Sequence, residues 1–69
     1  MIPLPDRLKE QRNKKHLTQK QVADILKIRQ GTYCDYERGN HQPSLEILIK
    51  IADTFETSTD YLLGRFNRV

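Results

Sequence analysis

Apolar residues recur along this chain at helical spacing, and no stretch carries the signal of a strand. Leu4, Leu8 and Arg12 share one stripe, so a first helix is expected to open at Pro5 or Asp6 and run to about Lys15. Val22, Ala23, Ile25 and Leu26 form a second stripe, and Tyr33, Tyr36 and Glu37 a third at i, i+3, i+4. Leu45, Leu48, Ile51, Ala52 and Phe55 line a fourth helix from about Leu45 to Phe55, where Ile47 and Ile49 widen the apolar arc beyond what a small core needs. A short fifth helix fits Thr59 to Leu63.

The punctuation agrees with the periodicity. Thr18 and Gln21 have the spacing of a capping box, Ser44 follows Pro43 as a helix cap, and Ser58 can cap the last helix. Lys27-Ile28-Arg29 is too short to be anything but a turn, and Gly39 sits where a glycine ends a helix. The pattern predicts an all-α chain of five helices in a single domain over residues 1–69, with a core over about 6–63 and a tail over 64–69.

Composition narrows the function. Sixty-nine residues leave no room for a large catalytic cleft, and one cysteine excludes an intrachain disulfide framework. No apolar run approaches a membrane span or a signal-peptide core, so a soluble, cytoplasmic protein is expected. The net charge is +3, unevenly placed. Nine basic residues against four acidic ones lie between Arg7 and Arg38, whereas from Gly39 onward three basic residues face four acidic. The surplus falls on the half that contains the second and third helices, where a polyanion would dock. A helix of about ten residues, buried on one face and lined with Gln, Thr, Asp and Arg on the other, matches what a DNA major groove admits.

The order Thr18-Gln19, Ala23, a short turn, Arg29-Gln30-Gly31-Thr32-Tyr33-Cys34-Asp35-Tyr36-Glu37-Arg38-Gly39, then Pro43-Ser44-Leu45 and Asp60-Tyr61-Leu62-Leu63, resembles the Cro/C1-type (XRE-like) helix-turn-helix regulators. The likeness runs from about Leu8 to Leu63. It implies a compact five-helix, lambda-repressor-like domain with the helix-turn-helix at helices 2 and 3. Four positions depart from the family. Gln11 stands where a Leu is usual, which implies less burial on that edge of helix 1. His16 and Lys27 stand where Gly is usual, and Arg29 where a Ser or Thr would cap helix 3.

Carried over by position, the resemblance makes Gln19 a phosphate anchor and Gln30 a base reader, since Gln can bond adenine N6 and N7 together. Gly31 permits close approach. Thr32 would touch a thymine methyl or a phosphate. Asp35 either accepts from cytosine N4 or is held by Arg38 or Arg29. Arg29, Arg38, Asn40 and His41 are phosphate candidates, and Tyr33 is a core residue whose hydroxyl could reach a phosphate. Arg12 and Glu37 are expected to pair as a structural strut between helices 1 and 3.

The implied function is a sequence-specific transcriptional regulator, a dimeric repressor that reads an inverted repeat in double-stranded DNA and is bacterial or phage-encoded. Ile47, Ile49, Leu62, Leu63, Phe66 and Val69 are the apolar residues available for a homodimer interface, unless Leu62 and Leu63 close the monomer core. The competing class is an antitoxin-like protein-interaction module, disfavoured because only about six residues follow the last helix. No acid, base and nucleophile converge, so no enzyme, cofactor or small-molecule ligand is expected. Cys34, His16 and His41 lack metal-ligand spacing, so no metal is expected.

Overall fold

The computed structural model describes residues 3–65. Five helices follow one another: α1 (Leu4–Lys14), α2 (Gln19–Leu26), α3 (Gln30–Arg38), α4 (Leu45–Phe55) and α5 (Thr59–Leu62). There is no strand among the described residues, nor a helix long and apolar enough to cross a membrane. α1 packs on α3 and α5, and α2 packs on α3 and α4.

Every helix ends in the same way. His16, Lys27, Gly39, Glu56 and Gly64 all have positive φ. After each, the next amide turns back to the carbonyl five residues earlier: Leu17 to Arg12, Ile28 to Ala23, Asn40 to Asp35, Thr57 to Ala52 and Arg65 to Asp60. This left-handed closure supplies partners for carbonyls that the helix leaves unsatisfied. At His16, Lys27 and Glu56 it is imposed on a residue with a Cβ, which costs about 1–2 kcal/mol at each site. Leu17 and Ile28, directly after two of these strained residues, pack against the core and help to offset that cost.

The helix starts are equally local. Thr18 Oγ1 accepts from the Gln21 amide at 3.0 Å while Gln21 Oε1 accepts from the Thr18 amide at 2.8 Å, a complete capping box. Ser44 and Ser58 cap α4 and α5 through the Ile47 and Tyr61 amides. α1 has no side-chain cap, but Pro5 in its first turn brings no orphan N–H. α3 also starts uncapped, at Arg29.

The core draws on all five helices: Leu8; Val22, Ala23 and Leu26; Tyr33 and Tyr36; Leu48, Ile51, Ala52 and Phe55; Tyr61 and Leu62. Two expectations about it need correction. Ile25, placed on the inner stripe of α2, is 53% exposed. Val22, Ala23 and Leu26 already define a narrow seam, and Ile25 lies roughly 100° around the helix from its centre. Leu45 lies on the right stripe of α4 but is 71% exposed, because it is the first helical residue and no neighbouring element covers it.

The edge of α1 around Gln11, expected to bury less than usual, is closed, with Gln11 and Arg7 themselves inside. The Arg7 guanidinium lies 4.2 Å from the Tyr61 ring centroid, and the Tyr61 hydroxyl donates to Glu10 Oε1. Gln11 Nε2 donates to the same oxygen, Glu10 Oε1, 3.1 Å away. α5 is thus tied to α1 through the Tyr61 ring and hydroxyl.

Candidate nucleic-acid interface

The turn between α2 and α3 is tight because Lys27 takes the left-handed conformation at φ 59 and Ile28 points back onto the core. α3 is then seated by Tyr33 and Tyr36, both buried, whose rings meet edge to face with centroids 6.2 Å apart. These anchors decide which face of α3 looks outward. Arg29, Gln30, Gly31 and Arg38 are exposed, with Thr32 and Asp35 half-buried beside them. Beyond Gly39, Asn40 and His41 are exposed as well, and the His41 ring stacks on Tyr36 at 6.1 Å, which fixes the start of the loop against the end of α3.

Gly31 has no internal reason to be glycine. A Cβ built there would meet nothing within 4 Å, and its backbone is ordinary helix. Gly39 differs, since its φ of 78 is the left-handed closure of α3 and a Cβ would also touch Pro5.

Behind the exposed face lies a network that crosses three helices. Arg12 Nε donates to Glu37 Oε2 at 2.7 Å and Nη2 to Glu37 Oε1 at 3.2 Å, while Nη1 donates to the Leu17 carbonyl at 2.8 Å. The expected strut between α1 and α3 is present, with the two side chains only 13% and 4% exposed. Gln19 Nε2 joins at Glu37 Oε1, 3.1 Å away, and Gln19 Oε1 accepts from Cys34 Sγ at 2.8 Å. Burial by itself would favour the neutral acid at Glu37, but hydrogen bonds from Arg12 and Gln19 outweigh it and hold the carboxyl below its ordinary range. The Arg12 guanidinium is correspondingly pushed up by its bonds to Glu37.

Tyr33 is fully buried and its hydroxyl lies inside near Glu37, outside hydrogen-bond geometry with any described residue, so it is not a surface group that reaches a phosphate. Burial first, and the Glu37 carboxylate second, push its pKa well up. Asp35 forms no salt bridge with Arg29 or Arg38 among the described residues, so the reading in which those arginines hold it lacks a contact. Gln19 is half-buried and engaged at both ends of its amide. The link from Gln19 to Cys34 was missed, because nothing in a separation of fifteen residues signals a contact that depends on how two helices cross.

The apolar residues assigned to a dimer interface divide. Leu62 is fully buried in the monomer core and is not available to a partner, because α5 is so short that this residue is needed to close the core. Ile47 is half-buried against the same core, whereas Ile49 and Leu63 are each 47% exposed. Phe66 and Val69 lie outside the described residues. No group of three His, Cys, Asp or Glu side chains among the described residues could hold a metal ion.

Known proteins share this architecture. The phage P22 c2 repressor, solved with a synthetic operator, superposes with a TM-score of 0.86 over 91% of this chain and 96% of that one, at 22% identity. SinR, a master regulator for biofilm formation solved with DNA, superposes with a TM-score of 0.79 at 22% identity, covering 86% and 95%. At these identities the likeness is one of fold. By sequence, the HTH-type transcriptional regulator AnsR of Bacillus subtilis is 50% identical over 60 residues, 87% of this chain and 52% of AnsR. The cryptic phage CTXphi transcriptional repressor RstR of Vibrio cholerae is 43% identical over 65 residues, 94% of this chain and 58% of RstR. The chain thus spans about half the length of the curated relatives it matches. The helix-turn-helix family model matches residues 8–62, and with the Cro/C1-type motif at α2 and α3 the chain belongs to that family.

Proposed function

We propose that this domain binds double-stranded DNA sequence-specifically and regulates transcription, most simply as a repressor. In this reading α3 enters the major groove and a twofold dimer addresses an inverted repeat. The observation that carries it is the division of α3 into a face held by Tyr33, Tyr36 and Glu37 and an outward face of Gln30, Gly31 and Arg38. An outward helix with unspent polar groups, set rigidly on its scaffold and flanked by Arg29, Asn40 and His41, suits base reading between two phosphate tracks. Gln30 reads a base, with Thr32 and Asp35 beside it on the groove side. Gln19, Arg29, Arg38, Asn40 and His41 supply phosphate contacts.

One α3 reads only a few base pairs, so a twin placed one DNA turn away, about 34 Å, completes a usable site. Ile49 and Leu63 supply exposed apolar area for the self-complementary surface.

Selection of bound sequences from random DNA, followed by titration across salt concentrations, tests this reading. The expected result is an inverted repeat whose log K falls with log salt at a slope of about −0.9 per phosphate neutralised. Gln30→Ala should relax preference at one base position per half-site, whereas Gln19→Ala and Arg38→Ala should weaken all sequences alike. A flat salt response would remove the DNA reading. An unchanged selected site in Gln30→Ala would show that α3 sits in a different register.

A further inference from the structure

The Gln19 amide is gripped at both ends, by Glu37 Oε1 on its nitrogen and by Cys34 Sγ on its oxygen. A glutamine amide has nearly the same shape turned end for end, so what selects its orientation is the donors and acceptors around it. On the Glu37 side only a donor is tolerated, because two bonds from Arg12 favour the carboxylate form of Glu37 and engage both its oxygens. On the other side the cysteine thiol is a donor that meets an acceptor, so the two contacts agree on a single orientation. One Nε2 proton is left uncommitted. A long polar side chain that is already fixed loses little rotamer freedom when it takes a ligand, whereas one that swings about a single anchor loses more.

We propose that Cys34 is a positioning residue for DNA binding: its thiol, donating to Gln19 Oε1 at 2.8 Å, holds the Gln19 amide in the orientation that presents its remaining N–H to a phosphate. This rests on the reading of Gln19 as a phosphate anchor. Cys34 itself needs no contact with DNA. Its role is to complete the chain from Arg12 through Glu37 and Gln19 into the middle of α3, so that the start of α2 and the reading helix present their contacts as one unit.

The test uses the full chain as wild type, Cys34→Ser, Cys34→Ala, Gln19→Ala and the Cys34→Ala/Gln19→Ala double variant. The side-chain amide resonances of Gln19 are followed by NMR in the free protein. Affinity is measured for a mixed-sequence duplex at low salt and for a duplex recovered by selection, alongside thermal midpoints. In Cys34→Ala the Gln19 amide signals should move toward those of a free glutamine, and both duplexes should bind about three- to tenfold more weakly, the range of one neutral hydrogen bond. Base preference should not change. Cys34→Ser, which keeps a donor, should restore the signals and the affinity. In the Gln19→Ala background Cys34→Ala should have no further effect on binding.

Unchanged Gln19 signals in Cys34→Ala overturn the proposal, as does an equal loss of affinity with and without Gln19. If Gln19→Ala weakens binding and Cys34→Ala does not, the positioning role alone is lost. If Gln19→Ala binds as wild type, the phosphate reading of Gln19 falls and the proposal with it. Should Cys34→Ala also lower the thermal midpoint, rescue by serine and silence in the Gln19→Ala background still separate positioning from a general loss of packing, which would produce neither.

Discussion

At Gly31 folding and the proposed binding want different residues. Glycine inside a helix costs roughly 0.5–1 kcal/mol relative to alanine, and the space around its Cα is open. Gly31→Ala should therefore stabilise the domain by about that amount, a rise of several degrees in thermal midpoint for a chain of this size. It should at the same time weaken DNA binding, because a methyl group would stand between α3 and the groove floor. Thermal unfolding and a binding titration on the same sample check both signs. Equal affinity for the two proteins would mean that α3 does not approach closely at this position. Tyr33 shows the reverse case, a residue whose polar end suggested a surface role and whose ring is spent wholly on the core.

Among the elements, the repeated left-handed closure is the feature on which the geometry of the motif depends. The angle between α2 and α3 is set at Lys27, and the strain there is held by Ile28 and by the Ile28 amide bond to Ala23. Lys27→Gly relieves about 1–2 kcal/mol of strain and adds roughly 0.5–1 kcal/mol of unfolded-state entropy. The expected net effect is a gain of about 0.5–1 kcal/mol by denaturant titration, and a loss would show that Lys27 makes a compensating contact. The strut between α1 and α3 carries more weight. Glu37→Ala leaves the nearly buried Arg12 unpaired and should cost about 3–5 kcal/mol, a large share of what a 69-residue chain has.

The same pair sets an acid limb. Glu37 has a folded pKa below its ordinary value of 4.5, so its contribution is fully present above about pH 4.5 and is lost as pH falls through the folded value. Stability measured from pH 7 down to pH 3 should stay nearly level and then drop. Glu37→Gln should be less stable at pH 7 and show a shallower drop. An identical acid limb in the two proteins would assign it to other carboxylates.

For the whole molecule, the exposed apolar residues outside the motif decide the proposed working unit. Ile49 and Leu63 remain half in solvent after the core has closed, and on the dimeric reading they are covered by a twin. Ile49→Asp and Leu63→Asp should each shift the protein toward monomer in sedimentation at micromolar concentration and weaken binding to an inverted repeat far more than to a single half-site. Neither position is packed inside, so the thermal midpoint of the monomer should change little. Wild-type protein that sediments as a monomer and binds a half-site as well as a repeat would end the dimeric reading.

The local rules of this chain were legible without coordinates. Helix existence, the capping box at Thr18, the serine caps, the end of α3 at Gly39 and the limits of α4 follow from spacing and from hydrogen-bonding groups within a few residues of one another. The resemblance also placed the Arg12 and Glu37 pair. What depended on the crossing of helices was not legible. A periodic stripe says which residues share a face but not how wide a face the neighbouring helices cover. That is why Ile25 and Leu45 turned out exposed while Gln11 and Arg7 turned out buried. The grip of Cys34 on Gln19 joins side chains fifteen positions apart across two helices. Sequence patterning records the free energy of removing apolar groups from water, which is non-directional; the partner of each polar group is chosen by distance and angle, and those exist only once the helices have packed.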